Sequence, residues 1–354
     1  MLLNCFFPIV LYIYHYFYAG MNLKHSEELF IVSRQYKNKR ENLYIVVPCY
    51  NEDKVLPVSF TCLHEKLRSM IEAGQVSENS KILFVDDGSQ DNTWNLICDL
   101  QEKHGQNTTG MKLSRNCGHQ NALYAGLMYA KDKSDCAVSI DADLQDDISV
   151  IDKMVADFNN GSDIIYAVRN KRENDNFFKR RTALTFYSLL KFMGVDIVHN
   201  HADYRLMSKR ALEKLSEYNE VNLFMRGVVK LIGFKSSFVY YERKKRMQGE
   251  SKYPLLKMLS FACDGITSFS IVPLYFISIL GIVISVASCL GILYGLISYF
   301  LGVTVPGWAA IVTSIYFLGG VQLLCVGICG IYLGKVYSEV KARPKFFIDK
   351  IVDN

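Results

Sequence analysis

From Gly265 to Gly334 the sequence contains no Asp, Glu, Lys, Arg or His. A water-facing surface of that length would carry charge. About 20 apolar residues are enough for one membrane crossing, so the stretch reads as two crossings, residues 271–300 and 308–334. The same lack excludes an ion or proton path of the usual kind, which needs ionisable groups within the bilayer. None of the ten cysteines forms a C-x-x-C pair, which fits reduced cytosolic thiols and not a disulfide framework. Neither G-x-G-x-x-G nor G-x-x-x-x-G-K-[ST] occurs, so a dinucleotide enzyme and a P-loop ATPase are excluded. Residues 1–20 are apolar and aromatic but have no basic start and no small-residue cleavage site, which argues against a signal peptide. A third membrane segment, an interfacial anchor, and residues upstream of a true start at Met21 remain the alternatives there.

What charge there is flanks the apolar stretch. Arg243, Lys244, Lys245, Arg246, Lys252 and Lys257 precede it, and Lys335, Lys341, Arg343 and Lys345 follow it. Basic flanks stay on the cytoplasmic side, so both ends of the hairpin, and the domain before it, are expected there. Lysines facing anionic lipid explain much of the formal charge of +5 without any nucleic-acid partner. Residues 177–193 are basic at the start, with Phe186, Leu189, Leu190 and Met193 at helical spacing. They suit a membrane-surface helix or one packed on its own domain. Residues 253–268 form a second candidate interfacial helix. Gly281, Gly291, Gly295, Gly319, Gly320, Gly327 and Gly330 allow close helix contact within the hairpin or between subunits, and a homo-oligomer is expected.

From Leu43 apolar runs alternate with helical patterns. Strands are expected at 43–47, 81–85, 111–113, 136–140 and 163–168, and helices at 55–73, 92–102, 118–131 and 148–159. That alternation predicts an α/β fold, a mostly parallel sheet with helices on both faces. Four strands end in polar residues: Asn51 and Glu52, Asp86 and Asp87, Arg115 and Asn116, Asp141 and Asp143. Ligands in open α/β sheets bind beyond the carboxyl ends of strands. Asp141 and Asp143 stand two apart, and close carboxylates repel unless a cation lies between them. A hard divalent ion, Mg²⁺ or Mn²⁺, takes one or two carboxylates and completes its shell with water and phosphate oxygens. A solvated acidic turn is the plain alternative for those two residues taken alone.

The ordered series Pro48-x-Tyr50-Asn51-Glu52, Asp86-Asp87-Gly88-Ser89, Ser114-Arg115-Asn116-x-Gly118 and Asp141-Ala142-Asp143-Leu144-Gln145-Asp146 resembles the family 2 glycosyltransferases of GT-A fold. More narrowly, it resembles the polyprenyl-phosphate glycosyltransferases, among them bactoprenol glucosyltransferases and dolichyl-phosphate mannose synthases. The likeness continues through Asp203-Tyr204-Arg205-Leu206-Met207, Phe224-Met225-Arg226-Gly227 and Gly249-Glu250-Ser251-Lys252-Tyr253 to Tyr332-Leu333-Gly334. Ala202 stands where those relatives usually have glycine, His201 precedes it, and Ile331 holds a place that is often glutamate. The Q-x-x-R-W motif of processive synthases is absent, since Thr93 precedes Trp94 and Gly307 precedes Trp308.

The resemblance implies a GT-A mixed sheet with helices on both faces, interface helices and a C-terminal two-helix transmembrane hairpin. It divides the chain into an N-terminal extension (1–42), a cytoplasmic catalytic domain (43–230), an interface segment (231–268), the hairpin (269–336) and a cytoplasmic basic tail (337–354). It implies an inverting transfer of one sugar, glucose or N-acetylglucosamine, from a UDP-sugar to a polyprenyl (undecaprenyl) phosphate. The enzyme would be a multi-pass protein of a bacterial inner membrane, serving a cell-envelope glycan. The alternatives are a glycan or protein hydroxyl acceptor, or an inactive membrane scaffold subunit.

Pro48, Tyr50, Glu52, Asp86, Asp87, Gly88, Arg115, Asp141 and Ala142 would bind the nucleotide, and Asp141 and Asp143 the metal. Gln145 and Asp146 would face the sugar or cap the following helix. Asp143, Asp203 and Arg205 would be the catalytic set, with Arg205, Arg226 and Lys252 candidates for the acceptor phosphate. Asp203 invites the role of general base. A phosphate monoester, with a second pKa of about 6, needs little deprotonation, so Asp203 would equally position the acceptor, hold the metal or accept a residual proton. His199 and His201 are candidate ligands that are more often simply hydrogen-bonded.

Overall fold

A computed structural model describes residues 40–169, 201–220, 225–242, 267, 270–301 and 307–353. The apolar N-terminal segment, the amphipathic stretch 177–193, His199, Lys252 and all of 253–268 except Thr267 lie outside the described residues.

The alternation read from the sequence is present. In order come β1 (Leu43–Cys49), α1 (Leu56–Glu72), β2 (Lys81–Asp86), α2 (Thr93–His104), β3 (Thr108–Leu113), α3 (His119–Lys133), β4 (Cys136–Ser139), α4 (Val150–Asn159) and β5 (Ile164–Arg169). The motif Asp203 to Met207 forms β6 (His201–Ser208). It is followed by α5 (Lys209–Ser216), α6 (Met225–Leu231), β7 (Ser236–Tyr241), α7 (Val272–Phe300), α8 (Trp308–Lys341) and β8 (Ile348–Val352).

The eight strands form one sheet in the order β7-β5-β6-β4-β1-β2-β3-β8. Strands β4, β1, β2 and β3 are parallel neighbours. The rest of the sheet is less parallel than the alternation suggests. β6 lies antiparallel between β4 and β5, and β8 is antiparallel to β3. Every residue of β1 is buried, because successive side chains point to opposite faces and both faces are covered. Leu43, Ile45 and Val47 meet Leu56, Leu63 and Leu67 of α1 and Ile151 and Met154 of α4. Tyr44 and Val46 meet α3 and α5 on the other side. Gly126 lets α3 lie close, since a Cβ there would stand 2.4 Å from Val46 Cγ1.

Two findings depart from expectation beyond the sheet. The basic tail is a structural part of the domain. After α8 ends at Ala342, with φ of 43°, Lys345 donates to the Tyr218 carbonyl at 3.2 Å and Phe346 packs edge-on against Tyr124. β8 then covers the edge of β3, which would otherwise expose unpaired backbone groups. Asp353 fastens the end by bonding Lys81 (2.6 Å), Lys133 (2.8 Å), Tyr129 (2.7 Å) and Thr109 (2.8 Å). Burial opposes its charge, but these donors hold its carboxyl well below the usual range. The second finding concerns the hairpin. Among the described residues one helix, Phe317–Lys341 within α8, is long and apolar enough to cross a membrane; α7 contributes the shorter apolar segment Val272–Ser288. A Cβ at Gly281, Gly291, Gly319, Gly320, Gly327 or Gly330 would meet nothing within 4 Å. Among the described residues these glycines therefore do not mark a tight contact.

Candidate active site

Because β4, β1, β2 and β3 run parallel, their carboxyl ends share one edge of the sheet. At the end of β1, Pro48 pairs in register with Val85 and Tyr50 is 42% exposed. Asn51, at φ of 54°, donates its N–H to Ser89 Oγ at 3.0 Å and accepts from the Gln90 N–H at 2.9 Å. The Glu52 N–H donates to Thr93 Oγ1 at 2.9 Å. These bonds tie the loop after β1 to the loop after β2.

Asp86 and Asp87 take different parts. Asp86 is fully buried at the end of β2. Its Oδ1 accepts from the Ser89 N–H at 3.2 Å, while Oδ2 has no hydrogen-bond partner among the described residues. Burial pushes its carboxyl up, against the Ser89 bonds and Lys112. A buried acceptor without a partner is costly, and it is suited to a ligand N–H. Asp87 is tied to the backbone. Its two oxygens accept from the backbone N–H groups of Cys117 (2.7 Å) and Gly118 (2.9 Å), anchoring the loop before α3. Gly88 serves the same junction. At φ of +67°, a Cβ there would lie 2.6 Å from the Arg115 carbonyl carbon. Arg115 itself is exposed, with a 3.5 Å contact to the neighbouring Asn116 carbonyl.

The turn after β4 carries Asp141, Ala142 and Asp143. Ala142 is buried and its carbonyl accepts from Ser59 Oγ of α1. Asp143 Oδ1 accepts from the Gln145 N–H at 3.2 Å, and Leu144 between them has φ of 49°. Asp141 Oδ1 lies 3.4 Å from His119 Nε2. Burial pushes the Asp141 carboxyl up; His119 opposes this, and Asp146, Asp203 and Asp143 add to it. Among the described residues no group of three or more His, Cys, Asp or Glu side chains is placed to cage a metal. Two carboxylate residues on one turn fit a hard ion that shares its shell with phosphate oxygens. Asp141 and Asp143 would hold such an ion.

Gln145 and Asp146 are both buried, and Asp146 is engaged by side chains of β5 and β7. Its Oδ1 accepts from Tyr241 Oη at 2.5 Å and lies 3.3 Å from Arg169 Nη2.

On β6, Asp203 and Arg205 stand two apart and so face the same side of the sheet. Arg205 Nη2 donates to Asp203 Oδ1 at 2.6 Å. Arg226 of α6 donates from Nη2 to Oδ2 at 3.0 Å and from Nε to Oδ1 at 3.3 Å. His119 Nε2 lies 4.0 Å from Asp203 Oδ2. Burial works against charge on Asp203, but Arg205 and Arg226 outweigh it and hold its carboxyl far below the usual range. Arg205 is fully buried, with less access to an incoming phosphate than an exposed side chain. Arg226, 35% exposed, keeps that access. His119 was missed in the sequence. Its signal was position, directly after Ser114-Arg115-Asn116-x-Gly118 and at the start of α3.

The sequence is similar to those of known proteins. The model of the family described as "Glycosyl transferase family 2" matches residues 44–216. A protein of Bacillus subtilis named "Uncharacterized glycosyltransferase YkoT" is 51% identical over 88% of this chain and 93% of its own. The "Prophage bactoprenol glucosyl transferase homolog" of Escherichia coli is 36% identical over 87% of this chain and 98% of its own. Among solved structures, glucosyl-3-phosphoglycerate synthase from Mycobacterium tuberculosis aligns with a TM-score of 0.42 and 16% identity, over 65% of this chain and 79% of that one. With relatives this similar along nearly their whole length, the chain belongs to the family 2 glycosyltransferases.

Proposed function

We propose that this transferase moves one sugar, glucose or N-acetylglucosamine, from a UDP-sugar to a polyprenyl phosphate at the cytoplasmic face of a bacterial membrane. The observation that carries the acceptor class is the pairing of Asp203 with Arg205 and Arg226. A sugar or protein hydroxyl needs a base to take its proton, and a general base works best with a pKa near the operating pH. Asp203 is held far below that. A phosphate monoester is already mostly dianionic at neutral pH, its second pKa being about 6, and it is attracted to an arginine.

In this reading the unpartnered Asp86 oxygen accepts from the nucleobase, and the exposed Tyr50 ring lies against it. Glu52 serves the ribose side, and the exposed Arg115 reaches the diphosphate. A divalent ion on Asp141 and Asp143 would neutralise charge on the departing UDP. Arg226 receives the lipid phosphate, and Asp203 aims Arg226 from both its oxygens. The phosphate oxygen attacks the anomeric carbon in line. A new carbon–oxygen bond to the lipid phosphate forms, the bond to UDP breaks, and configuration inverts without a proton leaving the acceptor. Holding both substrates at the membrane plane supplies proximity. The apolar helix Phe317–Lys341 and relatives named bactoprenol glucosyl transferase support a membrane setting.

Incubating membranes that contain the protein with a panel of radiolabelled UDP-sugars and undecaprenyl phosphate tests this. A labelled lipid from one donor is expected; none from any common donor would refute it.

A further inference from the structure

The carboxylate turn after β4 is fastened from its far side by three residues, Tyr241, Arg169 and Tyr204, none of them a candidate site residue from the sequence. Tyr241, at the end of the edge strand β7, donates its hydroxyl to Asp146 Oδ1 at 2.5 Å. Arg169, at the end of β5, donates from Nε to the same hydroxyl at 3.1 Å and reaches Asp146 Oδ1 from Nη2 at 3.3 Å. The Tyr241 ring meets the Tyr204 ring edge-on at 5.7 Å, and Tyr204 Oη donates to the Asp147 carbonyl at 3.0 Å. Asp146, Tyr204 and Tyr241 are each at most 3% exposed. The two residues following the metal turn are thus held by a closed polar cluster in a dry setting, where such bonds are strong and their loss is costly. Burial and the Asp146 carboxylate keep the Tyr241 phenol protonated, so it remains a donor.

The turn needs such a hold. Leu144, between Asp143 and Gln145, has a left-handed φ of 49°, a conformation that costs a branched residue energy. Asp141 and its acidic neighbours Asp143, Asp146 and Asp203 repel one another. Fixing Asp146 and the Asp147 backbone limits the ways in which the turn can relieve both strains. In the sequence, Glu242 alone separates Tyr241 from the basic run Arg243-Lys244-Lys245-Arg246 that leads to the membrane stretch.

We infer that Tyr241, Arg169 and Tyr204 are positioning residues of the donor site, holding Asp146 and Asp147 so that Asp141 and Asp143 stand ready for a metal–diphosphate. This rests on the donor reading given above.

The test uses the full-length enzyme with Tyr241→Phe, which keeps the ring and its contact with Tyr204, and Arg169→Lys, which keeps the charge. Hydrogen–deuterium exchange at residues 141–149 and the affinity for UDP with Mn²⁺ are measured on each. Faster exchange confined to that turn is expected. UDP–Mn²⁺ affinity should fall about tenfold, the scale of a lost hydrogen bond to a charged group. Apparent KM for undecaprenyl phosphate should stay unchanged, which a general loss of folding would not allow. Unchanged exchange would overturn the clamp. Faster exchange with unchanged UDP–Mn²⁺ affinity and turnover would overturn its positioning role. If the unsubstituted enzyme binds no UDP, the donor reading fails separately, and the exchange result still decides the clamp.

Discussion

Asp203 and its two arginines are not equivalent partners, and substitution should separate them. Arg205 is fully buried; apart from Asp203, its guanidinium reaches the Met225 carbonyl at 3.4 Å. Asp203→Ala therefore strands a buried charge. Breaking such a pair costs about 3–5 kcal/mol. At about 2–4 °C per kcal/mol, Tm should fall by roughly 10 °C. Asp203→Asn keeps an acceptor near Arg205 and should lose about 1.5–3 kcal/mol, the value of a charged hydrogen bond. Arg226→Ala leaves Asp203 still bonded to Arg205 at 2.6 Å. Because Arg226 is 35% exposed, it should cost about 1 kcal/mol or less. Thermal melting of the full-length enzyme in detergent gives the stability order. Turnover with the lipid phosphate gives the other. Arg226→Ala should be nearly native in Tm yet lose most activity. A drop in Tm as large as that of Asp203→Ala would refute the division between a buried structural arginine and an accessible functional one.

Other outcomes follow from the same geometry. Asp143→Ala should abolish transfer while leaving Tm nearly unchanged; retained turnover would remove the metal role. Gly88→Ala should weaken UDP binding, measured calorimetrically, because its Cβ would press within 2.6 Å of the Arg115 backbone; unchanged binding would show that the junction yields. Asp353→Asn should lower Tm through loss of its bonds to Lys81 and Lys133. The Asp353 carboxyl is depressed on folding. Its contribution is therefore complete above the unfolded value of about 3.9 and declines as pH falls toward the folded value. The Tm gap between Asp353→Asn and the unsubstituted enzyme should hold from pH 8 to 5 and narrow below about 4; a gap that widens on acidification would contradict the assignment.

The donor edge was legible because it rests on local patterns. Apolar runs mark β1, β2 and β4, and polar residues at their ends are forced together by parallel pairing. The division of labour between Asp86 and Asp87 was not legible. Asp86 ends β2 and Asp87 stands just past it, and the partners that claim Asp87, the Cys117 and Gly118 N–H groups, lie 30 and 31 residues away. The burial of Arg205 escaped for a similar reason. Nothing in Asp203-Tyr204-Arg205 announces a strand wedged between β4 and β5. β8 looked like a tail because the basic residues Lys341, Arg343 and Lys345 just before it mark the stretch; its apolar residues and Asp353 find partners on β3 and α3 that lie more than 200 residues earlier. His119 stood at the border of a motif and gained meaning only when β6 brought Asp203 to it.

The most direct test of the account compares two acceptors that differ only in the phosphate. The purified enzyme, with the preferred UDP-sugar and Mn²⁺, is given undecaprenyl phosphate or undecaprenol, and initial rates are followed from pH 5 to 8. The account predicts labelled product from the phosphate alone, with a rate that rises with pH through about 6 as the phosphate loses its second proton. Comparable labelling of undecaprenol would contradict it, because a hydroxyl acceptor needs the base that Asp203, held by Arg205 and Arg226, cannot supply.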